Sequence, residues 1–154
     1  MSYQRSRIDY VFLILNILCL AATGILLLLR HGKLPDTVPS QYDIHGNVTA
    51  TTGPAIIYVL FGVMVFTLLL FLLMGRHPEH CNLPVRITEE NAARIYRDAS
   101  LMLGSVMLVV NLFLAYGCIT MMFGRAINII VAYVFVIFLV ADSLIWIIIM
   151  RLHK

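Results

Sequence analysis

Asp142 is the only ionisable side chain placed well inside an apolar run of this sequence. A carboxyl in hydrocarbon is costly, and such groups are as a rule functional or paired. Counting about 1.5 Å per helical residue puts Asp142 about 12 Å from one end of its run. The same count puts Asn16, Thr67 and Ser105 about 8–10 Å from that side. One polar residue from each of four runs thus falls in a shared layer. No Lys or Arg stands at that depth, so the charged form of Asp142 is disfavoured. Two chemistries fit. The carboxyl can carry a proton or cation in a coupled site, or it can hydrogen-bond Thr67 or Ser105 and hold helices together.

His77, His80 and Cys81 form an H-x-x-H-C cluster, and imidazole and thiolate both bind zinc. A fourth ligand is not evident nearby, and Pro78 and Pro84 interrupt the segment. Neither a metal nor another cofactor is therefore expected. The sequence has no Gly-rich phosphate loop, no H-E-x-x-H and no G-x-S-x-G. Asp142 and Ser143 are adjacent, so on a helix they point about 100° apart and cannot serve directly as base and nucleophile. These features argue against an enzyme.

The elements that position these residues follow from composition. Of 154 residues, 61% are hydrophobic and 12% charged. A soluble domain is about 45–50% apolar and about 25% charged. A chain of this length cannot hide that excess in one core, so the composition indicates a membrane protein. The net charge of +3 is small and scattered, which excludes a nucleic-acid partner. Three cysteines at irregular spacing make no disulfide framework. Four apolar runs, 11–29, 54–74, 100–123 and 126–150, are long enough to cross about 30 Å of hydrocarbon. Each must be helical, because lipid offers no partner for an unpaired backbone group. The expectation is an all-α membrane protein, one four-helix transmembrane domain over 1–154.

Eight positive residues fall on one side: Arg5, Arg7, Arg76, Arg86, Arg94, Arg97, Arg151 and Lys154. Arg30, Lys33 and Arg125 fall on the other. The excess predicts both termini in the cytoplasm. Only Gly124 and Arg125 separate the last two runs, which predicts an antiparallel pair. Trp146 is placed as an interfacial anchor. Ala21-Ala22-Thr23-Gly24 offers a small-residue face for close helix contact.

Segment 30–53, on the outer side, predicts a compact, ordered loop. Pro35 and Pro39 fix φ, Asp43 can bond its own backbone, and Gly46 permits a tight turn. Val38, Tyr42 and Ile44 can fold back onto the membrane surface. On the inner side, Thr88 is a suitable helix cap, and Glu89 and Glu90 suit the positive end of a helix dipole. That helix is expected to run unbroken into the third span as a cytoplasmic extension.

The run Leu34-Pro35-Asp36-Thr37-Val38-Pro39, followed by Tyr42, Asp43 and Gly46, resembles the loop of a bacterial membrane domain of unknown function. That domain occurs at the N-terminus of SdpI-like toxin-immunity membrane proteins. Its pattern is L-P-x-x-I/V-P-x-H-aromatic-Asn/Asp-x-x-G after the first span. The inner run Leu83 to Asn91 also resembles the segment before that family's third helix. The likeness covers about 10–123. Gln41 stands where the family has His, and Thr49 stands near its usual Asp. Gln neither titrates nor binds metal, so no role resting on that His carries over. The resemblance implies a small integral protein of the bacterial cytoplasmic membrane, related to immunity or signalling. Its outer loop, with Leu34, Pro35, Pro39, Gln41, Tyr42, Asp43 and Gly46, would engage a peptide or envelope ligand.

Two other readings stand beside it. One is an oligomeric, proton-coupled small transporter using Asp142. The other is an accessory subunit of a membrane complex, docking through the charged inner helix. The partners expected are membrane lipid, a peptide or membrane protein, or a further copy of the chain.

Overall fold

The computed structural model describes residues 5–153. Lys154, counted above among the positive charges, lies outside them. Four helices carry the fold: α1 (Arg7–Arg30), α2 (Ala55–Met74), α3 (Ala92–Met122) and α4 (Ile129–Leu152). All four are long and apolar enough to cross a membrane. Helices α1, α2 and α3 pack on one another, while α4 packs chiefly against α3. Only 6% of the apolar stretch of α4 is buried, against 28% for α2 and α3.

The helix ends are paired by side chains, as a low-dielectric setting demands. Ser6 and Asp9 form a capping box at the start of α1. Thr88 and Asn91 bond reciprocally, N–H to side chain, one turn before α3. The regular helix starts at Ala92 as one continuous 31-residue element, eight residues ahead of the apolar run, so its cap position is Asn91 rather than Thr88, and Glu89 and Glu90 precede its first turn. Two arginines donate to carbonyls at helix ends. Arg5 donates to Phe71 and Leu72 at the end of α2. Arg30 donates to the Met122 carbonyl at the end of α3, and its guanidinium lies 4.1 Å from the Phe123 ring centre. At the small-residue face of α1, Gly24 leaves room for the Phe61 ring of α2.

Two expectations need correction. The link between the last helices is not Gly124 and Arg125 alone but residues 123–128. Gly124 adopts φ 65°, the Gly124 N–H bonds the Met121 carbonyl, and the Arg125 N–H bonds the Thr120 carbonyl. This left-handed cap ends α3 in a Schellman arrangement. Asn128 then caps α4 by accepting from the Ile130 N–H. Residues 126 and 127 are apolar enough to read as part of a span, but their backbone is non-helical link.

The second correction concerns segment 30–53. The compact, ordered loop expected there in an all-α protein is a β-hairpin, β1 (Val38–Tyr42) and β2 (Val48–Thr52). The pairing runs Val38 to Thr52 and Tyr42 to Val48, with register shifts on both sides of Gln41. Pro39 can sit in β1 because a two-stranded ribbon has only edge strands. Val38 is fully buried beside Leu27, Ile57 and Met122, so the hairpin is seated in the core rather than laid on a surface. Ile44, by contrast, is 77% exposed.

Gly46 has φ 87°, and a Cβ placed there would lie 2.8 Å from Ile129 Cβ. Gly46→Val therefore meets both backbone strain and a clash with α4. The strain alone costs about 1–3 kcal/mol. Thermal unfolding in detergent should shift down, and protease should cut the hairpin faster. A variant as stable and as protected as the parent would contradict this packing.

Candidate functional site: a hairpin cap above two buried polar networks

The hairpin turn is built around one carboxylate. Asp43 Oδ1 accepts from the backbone N–H groups of His45 and Asn47, each at 2.8 Å. Its Oδ2 accepts from Asn47 Nδ2 at 2.8 Å. These bonds, the Asn47 amide foremost, hold the Asp43 carboxyl below its ordinary value of 3.8. Such a pattern is an extended Asx turn, and Gly46 closes it by donating to the Asp43 carbonyl.

Tyr42 and Tyr133 fix this turn to the helix ends, and Tyr116 braces the α3–α4 link. Tyr42 Oη accepts from the Ile127 N–H at 3.2 Å. Tyr116 Oη accepts from the Asn128 N–H at 2.9 Å. Tyr133 Oη donates to the Ile44 carbonyl at 3.0 Å. The α3–α4 link is non-helical, so its N–H groups need such partners. Leu34 packs against the core cluster below, and Pro35 lies against Gly124. Leu34, Pro35, Pro39, Tyr42, Asp43 and Gly46 therefore share one rigid unit. Gln41 is exposed, as are most residues of β2.

The four polar residues expected in one layer form two separate networks. Asn16 and Thr67 meet at Asn111. Asn111 Nδ2 donates to Asn16 Oδ1 at 2.8 Å, and Thr67 Oγ1 donates to Asn111 Oδ1 at 2.7 Å. Asn16 Nδ2 turns back to the Phe12 carbonyl. Asn16 and Asn111 are both fully buried. Ser105 lies six residues from Asn111, about 9 Å along α3, and pairs with Asp142 instead. Ser105 Oγ donates to Asp142 Oδ2 at 2.9 Å and accepts from Trp146 Nε1 at 2.9 Å. Trp146 is thus half-buried in the α3–α4 seam and held by this bond, not simply an anchor at the surface. Ser143 bonds the Leu139 carbonyl of its own helix, so it takes no part.

The layer divides because depths were counted from the ends of apolar runs. Helix α1 begins at Arg7 and α3 at Ala92, well ahead of those ends. Asn111 does not stand out from the sequence as a member of this layer. It is uncharged and sits mid-run, and a search for ionisable groups does not register it. A polar amide between helices is signal enough on its own.

Two further carboxylates are buried at the end opposite the hairpin. Asp9 accepts from Ser100 Oγ at 2.6 Å and from the Ser6 N–H and hydroxyl. Asp98 accepts from Nδ1 of His153, which ties the last residues of α4 to the start of α3. The Ser6-x-x-Asp9 spacing is a legible capping box. The Asp98–His153 contact joins residues 55 apart and leaves no local signal. Comparison with known protein-family models, curated proteins and solved structures finds no match to this chain.

Because folding lowers the Asp43 carboxyl, its charge favours the folded turn at neutral pH. That contribution is complete above the ordinary value and is lost as the pH falls through the depressed folded one. Amide exchange at His45 and Asn47, corrected for intrinsic rate, should show protection at pH 6 that is lost in strong acid. Asp43→Ala should remove the protection at both pH values. Protection independent of pH would contradict this role for the carboxylate.

Proposed function

We propose that this chain is a small integral membrane binding protein of the bacterial cytoplasmic membrane, with both termini inside. The rigid hairpin faces out and engages a peptide or envelope ligand in immunity or signalling. One observation carries the reading: the hairpin is seated in the helix ends by Val38, Tyr42 and Gly46, yet β2 and Gln41 stay exposed. A preorganised turn binds without first losing loop entropy. An exposed strand also offers unpaired N–H and C=O groups, which an extended peptide can match. The positive residues at the opposite end support the orientation. The resemblance of the Leu34–Gly46 motif to the SdpI-like N-terminal domain supports a peptide as the ligand class. Nothing in the two polar networks supplies a nucleophile and base in line, so no enzymatic step is proposed.

A second reading draws on Asp142. Its carboxyl is half-buried on a helix that packs chiefly against α3. In an oligomer, that seam would make a proton-coupled site, and α4 would face a further copy or a larger complex.

Deleting the gene should raise sensitivity to a secreted peptide, or silence the response to it. Asp142→Asn should restore the parent behaviour, while Gly46→Val should not. In the same cells, Thr49→Cys should react with a membrane-impermeant maleimide, and Cys81 only after permeabilisation. Unchanged sensitivity and signalling across a panel of secreted peptides would overturn the binding reading. Restoration by Gly46→Val but not by Asp142→Asn would favour the coupled site.

A further inference from the structure

The segment between α2 and α3 carries chemistry that the hairpin does not use. His77 precedes a single 3₁₀ turn, Pro78–His80, and His80 closes it. In a 3₁₀ turn, residues three apart lie on the same side, so both imidazoles face one way. Their ring centres are 5.8 Å apart. Glu79 reaches the same place, with Oε1 3.0 Å from His77 Nδ1. One ligand atom from each of the three side chains lies within 4.8 Å of the other two. Cys81 follows directly but is outside this group.

The scaffold beneath the three side chains is fixed. Pro78 is buried and has its φ set by its ring. The His80 N–H bonds the His77 carbonyl at 3.0 Å, and the Cys81 N–H bonds the Pro78 carbonyl at 3.1 Å. The side chains above are exposed, with His77 and Glu79 already paired.

We propose that His77, Glu79 and His80 bind a divalent transition-metal ion, with zinc the best match. The carboxylate is a hard donor, but the two imidazoles are borderline ones that suit zinc, nickel or copper rather than magnesium or calcium. A tetrahedral zinc with bonds of about 2.0–2.1 Å holds its ligand atoms about 3.3 Å apart. The His77–Glu79 pair already meets that separation, and rotation of the His80 ring supplies the rest. Three protein ligands leave a fourth position open to water or to a donor from a partner. Glu79, inside the H-x-x-H-C run, completes the ligand set in place of Cys81. Bound metal would lock the turn that leads from α2 into α3. This proposal is independent of the hairpin reading, since it concerns the other end of the bundle.

The test uses the full chain without an affinity tag, purified in detergent and stripped with chelator. Cobalt(II) is titrated by its visible absorption, and zinc is added in competition. One saturable equivalent is expected, with zinc displacing cobalt. Loss of even an outer partner of a metal ligand costs about 10–100-fold in affinity. His77→Ala, His80→Ala and Glu79→Gln should therefore each weaken binding at least about tenfold. His153→Ala, at a separate histidine, should leave it unchanged. Circular dichroism should match the parent in every variant, because these three side chains are exposed. Absence of saturable binding would overturn the proposal, as would binding retained in the His77→Ala/His80→Ala double variant.

Discussion

Asn111 is the side chain through which three helices meet. It stands on α3, donates to Asn16 of α1 and accepts from Thr67 of α2. In a soluble bundle the hydrophobic effect would dominate the choice of neighbours. Between helices that are apolar all round, that driving force is weak, because lipid tails are as apolar as Leu. Direction then comes from polar groups that have no solvent to turn to. Each such bond is worth about 0.6 kcal/mol on average. What it adds is register: an amide with one donor and one acceptor engaged permits few rotations of the three helices.

The same constraint explains the hairpin end. The chain must leave α3 and enter α4 without stranding backbone groups. Gly124 closes one helix in a left-handed turn, Arg30 and Tyr42 take the exposed groups, and Asn128 opens the next helix. The hairpin is therefore part of how the bundle ends, not an ornament upon it. Its rigidity follows from serving as a hydrogen-bond partner to the link beneath. Helix α4 is attached differently. It is held along one seam by Ser105, Asp142 and Trp146, and at its end by Asp98 and His153. Most of its apolar surface is left for lipid or for another helix.

Much of this was legible in the sequence because long apolar runs have one solution in lipid. Four helices, the extension ahead of residue 100 and the turn at Asp43–Gly46 follow from run length, caps and turn chemistry. The hairpin was harder to read. Pro39 interrupts β1, and the alternation expected of a strand is broken by register shifts around Gln41. The polar networks were legible in kind but not in membership. Depth along a helix can be counted from sequence, but which faces turn toward one another cannot. Asn16, Thr67, Ser105 and Asp142 stand out from the sequence, but Asn111, the partner of Asn16 and Thr67, does not. Trp146 shows the same limit, since an indole at the edge of a span reads as an anchor until its N–H is seen to bond Ser105.

The claim that Asn111 sets the bundle is tested most directly by a double-mutant cycle. The unfolding free energy in bilayers is measured for the parent, Asn16→Ala, Asn111→Ala and the double variant. A direct interhelical bond predicts a favourable coupling of about 0.6 kcal/mol, with about 1.7 kcal/mol as the upper end for such pairs. Strictly additive effects, with zero coupling, would contradict the account and remove the Asn16–Asn111 bond as a determinant of how α1 sits on α3.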